Sequence, residues 1–561
     1  MAKVWRIKNF TGGISTGDKV GITGSFAFGQ GLDFRTNIDR VSPNYAMVKD
    51  SGVAITGLPK FFAQYGTTYY AICSDGKIHS NASTWTSLRT VSGCTGQGLA
   101  LFYESSAPGL YYSLTTALGK YADLSGSPSF NDAYQVLNSD TLWHPLKVFL
   151  NKLCIGNGNA LATLDSAGTF TASVFTLPTG WKIKCLEVRG DFLYIGAWRG
   201  TAITDYEQGA IFTWDGTATT YNSAEFINES GVNALLNQND TLYVWAGTRG
   251  NVYQFVNGQY VKLKKIPGIG VGKTAEVYPG AVTGFNGIFH FAGAGSTDST
   301  TMYNGVYTWG QPEKNYPEVL NFDYPVSIGN VQGAALAVSA VYAASPTKLF
   351  TGWGYTNTIT MSIADPCVVT LASHAFADGT PIRFTTTGAL PTGITAGTYY
   401  YTRSTATNTF NLYDTAAHAI TGGATGRVAT TGTQSGTQTG SNYGIDLIST
   451  STLQTAVVYE SLIFDGGEPY RRKTIRDIKL TTLPLASGAV ITVKYKADRA
   501  SSWTTLGTMT YASDGAVNSK KLAFKDSTGF IKAYELQVRF ELTVADLLEA
   551  STIYEIEEDI V

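Results

Sequence analysis

With 561 residues the chain exceeds what one hydrophobic core serves, so two to four domains are expected. Only 15% of the residues are charged and the net charge is −2, which excludes disorder driven by charge and nucleic-acid binding by broad phosphate neutralisation. The 61 Gly, 33 Tyr and 27 Phe beside 17 Pro suit short strands and tight turns and suit long helices poorly, so the expected fold class is all-β.

At the N-terminus, Lys3, Arg6 and Lys8 interrupt the apolar residues, and no leader for export is expected. Residues 1–57 read as an extended segment. Within it Gly13-Ile14-Ser15-Thr16-Gly17 spells a nucleophile elbow, but no strand precedes it and no helix follows, so it reads as a loop.

Residues 58–364 carry a repeat: a short apolar run, a polar loop, then a second run ending in an aromatic and a turn. One copy is Asp191 to Gly196 followed by Gly209 to Gly216. A second is Asp240 to Gly247 followed by Gly250 to Gly258, closed by the Asn257-Gly258 turn signal. A third is Asn286 to Gly293 followed by Val306 to Gly310; Asn151 to Gly156 is an earlier relative, and weaker copies begin near Thr67 and Leu110. Aligned runs recur at roughly 40 to 50 residues, the interval of one four-stranded propeller blade. A six- or seven-bladed β-propeller is expected, with Gly196, Gly247 and Gly293 permitting close approach. Trp214, Phe255 and Trp309 are expected to fill the space between blades rather than stack on a ligand. Helical periodicity is confined to Phe130 to Leu137 and Val544 to Ala550.

Pro267 to Thr274 nearly spells a phosphate-binding loop, yet Pro267 replaces the first glycine and Pro279, Gly280 and Gly284 forbid the helix whose N-terminus would hold the phosphate. The run Gly333 to Ser345 is too short to span a bilayer, so a soluble chain with no membrane span is expected. Residues 365–440, rich in Thr, Gly and Ala, read as a small β domain inserted in a loop of the propeller, and 441–467 as its closing strands. Residues 468–561, with alternation such as Val490-Ile491-Thr492-Val493, read as a C-terminal β-sandwich ending in the acidic Glu555, Glu557, Glu558 and Asp559.

No reactive constellation is legible, and no catalytic residue, cofactor or metal is expected. Cys73, Cys94, Cys154, Cys185 and Cys367 are odd in number and widely spaced, which points to buried reduced thiols. His79, His144, His290, His374 and His418 lack metal-ligand spacing. Asp477 with Asp498, or Glu104 alone, would serve glycoside hydrolysis only in a geometry that spacing does not reveal. Arg471, Arg472 and Lys473 suit a solvated strand leader better than an anion site.

Three stretches resemble structural tail proteins of tailed bacteriophages. Asn9 to Ser15 with Gly31 to Asn37 is similar to their openings, which precede a propeller. His374 to Phe384, Leu390 to Gly393 and Asn408 to Leu412 look like a small β domain recurrent in such proteins and similar to a half-domain of ubiquitin-activating enzymes. Arg471 to Leu480 with Ser501 to Gly507 resembles their C-terminal sandwiches. The resemblance implies a virion structural protein in the distal tail, as nozzle, hub or tail tip, assembled in the host cytoplasm. Its partners would be other tail proteins and copies of itself around the tail axis, with only transient passage of DNA, at the distal end of a conduit whose acidic lumen would limit sticking. A receptor-binding fibre recognising host surface glycan through Tyr and Trp is the alternative. An envelope-degrading enzyme is a third class, disfavoured by the lack of a readable acid/base pair.

Overall fold

The computed structural model describes residues 2–557 apart from 16, 20, 51–54, 200–207, 257, 267–275, 294–304, 329–335, 373, 375, 456 and 528. The phosphate-loop lookalike at 267–274, Asn257 and the acidic pair Glu558 and Asp559 lie outside the described residues.

The chain is all-β and forms a β-propeller. Antiparallel four-stranded meanders follow one another over 59–90, 99–136, 146–176, 181–227, 232–265 and 282–325. The repeat seen in the sequence falls on the second strand of each: Thr68–Cys73, Ala107–Ser113, Lys152–Asn157, Phe192–Arg199, Thr241–Ala246 and Ile288–Ala292. These strands recur recognisably because they are buried on both faces, against a neighbouring meander on either side. The turn chemistry is local: Asn286 and Gly287 both take positive φ, 50° and 81°, the two-residue geometry that lets Phe285 pair with Ile288.

A last sheet closes the ring. It combines Ala337–Ser345, Lys348–Met361, Gln438–Leu453 and, from the N-terminal segment, Tyr45–Lys49. The apolar cores lie between meanders rather than within them. Phe102, Tyr111 and Leu118 meet Leu153, Ile155 and Leu164. Phe149 and Phe175 meet Trp181, Phe212 and Trp214. Phe62 and Trp85 of the first meander meet Phe350 and Ile445 of the last, which makes the ring continuous. Each small sheet thus covers its neighbour's apolar face, leaving only short edges. Trp214 is buried between meanders as expected, whereas Trp309 packs on Phe289 of its own sheet and donates from Nε1 to Glu318 at 2.8 Å. Gly196 sits where a Cβ would meet Val232 of the next meander at 2.7 Å.

Residues 2–50 are not a separate extended arm. Lys3–Ile7 pairs with Leu547–Ile556, Phe26–Gln30 with Val457–Ser461, and Tyr45–Lys49 with Gln438–Leu453. Nor does Val457–Ser461 close the propeller, because it belongs to a sandwich sheet with Leu536–Thr543, Val490–Ala497 and Thr504–Thr510. The facing sheet holds Lys3–Ile7, Leu547–Ile556, Lys473–Thr482, Ser519–Ala523 and Gly529–Ala533. Alternation drives this packing: Leu536, Val538, Phe540 and Leu542 are buried while the residues between them are half-exposed.

The strands Lys348–Met361 and Gln438–Leu453 pair without a break from Phe350 opposite Leu447 to Ile359 opposite Gln438. Beyond the propeller sheet they stay paired and take on Val368–Thr370 and Pro381–Thr386 at their outer edges; Thr409–Tyr413 and Tyr399–Ala406 complete the circuit. The pairing closes on itself as a small barrel filled by Val369, Ile382, Phe384, Phe410 and Leu412. The barrel therefore grows from the ends of two propeller strands and not from a loop.

Neither stretch with helical periodicity forms a helix. Phe130 to Leu137 falls largely on the outer strand Ser129–Val136, where Phe130 stacks on Tyr121 at 4.1 Å. At Val544 the φ of 48° breaks any helix before the strand Leu547–Ile556. The helices among the described residues are short, Ala416–Thr421 and Tyr511–Asp514, each with a threonine accepting at its N-terminus and a positive-φ glycine at its end.

Candidate functional site

The innermost strands of the meanders enclose a central channel. A cavity of about 400 Å³ is lined from each of them in turn, by Phe62, Leu99, Leu146, Leu186, Leu235, Val282 and Tyr342 among others. One ion pair crosses its wall, Lys147 to Glu187 at 2.7 Å.

At one end the channel has a polar collar with a common structural origin. Four innermost strands are one residue out of register with their neighbours at the same place, and the residues skipped are Lys60, Lys184, Asn233 and Ser339. A bulge of this kind takes a residue out of the ladder and re-aims its side chain. The four residues are held in two places: Lys184 Nζ donates to Asn233 Oδ1 at 2.8 Å and Asn233 Nδ2 donates to the Gly247 carbonyl at 2.6 Å, while Ser339 Oγ donates to the carbonyl of Pro59, beside Lys60.

The collar is stopped by the segment entering the sixth meander. Glu276 forms an ion pair with Lys184 of the fourth meander, reaching past the fifth. Tyr278 packs against Trp143 at 6.1 Å and receives the Lys60 ammonium over its ring at 3.8 Å. Trp143 also lies 4.7 Å from the Lys184 ammonium. Gly280 rests on the carbonyl of Lys60, where any Cβ would clash with backbone, so only glycine fits there. Burial, partly offset by Glu276, pushes the Lys60 ammonium down to about 8, and burial likewise lowers Lys184, again opposed by Glu276. Burial, followed by the Glu276 charge, raises the Tyr278 hydroxyl to about 12. Glu276, itself 26% exposed, is thus paired with one buried ammonium, Lys184, and its charge also acts on a second, Lys60. The arrangement locks the ring and leaves a lumen of small-solute size.

The residues weighed from the sequence are not brought together. Glu104 accepts from Tyr111 at 2.7 Å, Tyr134 at 2.6 Å and Lys120 at 2.9 Å; burial raises its pKa, but these bonds prevail and hold it below the ordinary value, opposite to what a general acid needs. Asp477 pairs with Lys521 at 2.8 Å, whereas Asp498 accepts from the Tyr534 and Glu535 amides at 2.7 and 3.0 Å. Lys473 is buried and donates to the Glu468 and Tyr534 carbonyls, and Arg471 donates to Glu468 and to the Glu557 carbonyl, while Arg472 is exposed. Ser15 accepts from the Gly17 amide at 3.1 Å in a turn. His144 faces the Gly156 and Thr115 carbonyls, His374 those of Ala406 and Thr409, and His418 pairs with Asp414 at 2.6 Å on the surface. His79 and His290 are buried within the ring. All five cysteines are buried and unpaired. Among the described residues no group of three His, Cys, Asp or Glu is placed to hold a metal, and no helix is long and apolar enough to cross a membrane.

Lys60, Lys184, Glu276 and Tyr278 were not legible as a set. A lysine amid Trp181, Ile183, Cys185 and Leu186 is the one available signal, and the bulge that reorients it has no signature in a period-two pattern.

No family model matches the chain, and no curated protein matches it. Among solved structures it is similar to a catalytically inactive virginiamycin B lyase from Staphylococcus aureus with quinupristin, at 13% identity and a TM-score of 0.38, covering 54% of this chain and 95% of that one. It is likewise similar to the β-propeller domain of Cps50 (Swd1) from Myceliophteria thermophila, at 13% identity and a TM-score of 0.36, covering 54% and 95%. The computationally designed Ika8 protein is similar at 13% identity and a TM-score of 0.33, covering 58% of this chain and 96% of that one.

Proposed function

We propose that this chain is a structural virion protein of a tailed bacteriophage, a component of the distal tail that serves DNA ejection and host attachment. We read its ring as seven-bladed, the barrel over 365–440 as a domain inserted in the last blade, and the remainder as a C-terminal sandwich. The phage context rests on the likenesses at Asn9 to Asn37, His374 to Leu412 and Arg471 to Gly507.

The observation that supports a mechanical role is how strands pass between the modules. Phe26–Gln30 bridges Val319–Pro325 of the ring and pairs with Val457–Ser461 of the sandwich, so one sheet runs through both. Lys348–Met361 and Gln438–Leu453 carry the ring sheet directly into the barrel. Such ladders transmit load, whereas flexible linkers leave domains free to move. On this reading copies of the chain surround the tail axis with other tail proteins, and DNA passes between copies rather than through the small lumen of one ring. An electron-microscopy reconstruction of the intact particle tests it: density for this chain repeated around the tail axis is expected. Density elsewhere, or its absence from purified particles, overturns the proposal.

A further inference from the structure

The innermost strand of every meander, and Ala337–Ser345 of the closing sheet, is the terminal strand of its sheet. A terminal strand bonds to its one neighbour through alternate residues, so the N–H and C=O groups of the others face the central lumen with no ladder partner. One such group is taken by the plug, the Val341 amide donating to the Gly280 carbonyl at 2.9 Å. Those along the cavity of about 400 Å³ have no further strand to pair with.

Apolar side chains stand between these backbone groups. Phe61, Ala100, Leu146, Val282 and Tyr342 line the cavity from five different sheets, and each is only half-buried. The Tyr342 ring stacks on Phe62 at 6.1 Å, while its hydroxyl bonds to no described residue. Pro279 and Gly280 shut the collar end, and at the other end Val148 is 40% exposed. The lumen is therefore a pocket blind at one end.

Its wall carries no net charge. The charged side chains on it are Lys147 and Glu187, which meet at 2.7 Å, and Lys60, Lys184 and Glu276 of the collar and plug form no part of it. A charged guest would leave water without gaining a free counter-charge, which is costly. Water alone would satisfy the backbone groups but would meet apolar surface from sheet after sheet. A guest with an apolar body and a hydrogen-bonding group suits both kinds of surface.

We infer that the lumen binds one small uncharged molecule of two or three rings, carrying a hydrogen-bonding group such as an amine N–H, amide or hydroxyl. The size follows from the cavity: an apolar space of about 150 Å³ takes a single benzene ring, and small-molecule sites span roughly 300–1,000 Å³. Such a guest lays its rings on Phe61, Val282 and Tyr342 and bonds to the strand edges or the Tyr342 hydroxyl. The inference does not depend on where the chain sits in a particle.

The test is fluorescence titration of the full chain with N-phenyl-1-naphthylamine, an uncharged probe of three rings with one N–H, and with its 8-sulfonate as the charged comparison. Saturable binding of one uncharged probe per chain is expected, with the sulfonate about tenfold weaker or worse. Ala100→Leu and Val282→Phe narrow the lumen from two sides and should each weaken binding about tenfold. Tyr342→Phe adds no bulk and removes only the free hydroxyl, so it keeps the test decisive if a narrowed variant fails to fold; a loss of about threefold is expected. Phe226, 61% exposed on the outside of the ring, controls for adhesion to the surface, and Phe226→Ser should bind as wild type. Absence of saturable binding, binding unchanged in all the folded lumen variants, loss of binding in Phe226→Ser, or preference for the sulfonate would each overturn the inference.

Discussion

Glu276→Gln isolates the contact that stops the channel. The substitution keeps the shape of the side chain and removes the charge facing Lys184, whose side chain is fully buried. The ammonium would then have only uncharged partners, the amide oxygen at 276, Asn233 Oδ1 at 2.8 Å and the Trp143 ring at 4.7 Å. At ion-pair contact with an effective dielectric of about 20, the lost attraction is about 5 kcal/mol. The Glu276 side chain is 26% exposed, so screening removes roughly half, and a destabilisation of about 2–3 kcal/mol is expected. For a domain of this size that lowers the melting temperature by about 5 °C. The pH dependence has a definite sign. Lys184 already titrates below the usual lysine value of 10.5, so the folded protein sheds this proton before the unfolded chain does, and stability from this group rises as pH climbs toward 10.5. Losing Glu276 lowers the folded value further; the deficit of the variant is therefore largest near neutral pH and shrinks toward about pH 10. Thermal unfolding of the full chain at both pH values, for Glu276→Gln, Lys184→Met and the double variant, measures the coupling. A single variant that melts with wild type, or a double variant no more stable than Glu276→Gln, would refute the account of the plug.

Three further outcomes follow from the same packing. Because burial holds Lys60 at about 8, wild-type stability should rise relative to Lys60→Met between about pH 8 and 10.5, by about 2 kcal/mol after allowance for partial exposure; a flat difference across that window counts against a dehydrated ammonium. Gly196→Ala should cost about 1–3 kcal/mol in urea unfolding, since its Cβ would press on Val232 and Cys185, and a neutral result would mean that the two meanders are not in contact there. Burial raises the Cys94 thiol to about 11 and those of Cys154 and Cys185 to about 12, so the native protein should leave a thiol reagent unconsumed at neutral pH and react fully once unfolded; rapid labelling of the folded chain would contradict the burial of these side chains.

What could be read in advance was what is local. Asn286-Gly287 forms its turn because of its own backbone freedom, and runs such as Phe192–Arg199 are β-rich whatever surrounds them, so the repeat and its spacing pointed to a propeller. Phe130, Tyr134 and Leu137 misled because their spacing imitates a helix face. In the fold Phe130 stacks on Tyr121 while the Tyr134 hydroxyl reaches Glu104, contacts that exist only once neighbouring strands are in place.

The remainder was decided by pairing between distant parts of the chain. Nothing in Lys3–Ile7 marks Leu547–Ile556 as its partner, and nothing in Tyr45–Lys49 marks it as the edge of the sheet that closes the ring. The collar illustrates the same limit: Lys60 and Lys184 sit in ordinary strand sequences, and a one-residue shift of register turns them toward Tyr278 and Glu276. Composition and turn chemistry act over a few residues and determined an all-β chain built from repeated small sheets. Which sheets meet, where a bulge redirects a lysine and which buried groups are left without partners depend on the summed packing of the whole chain, and only the tertiary structure decided them.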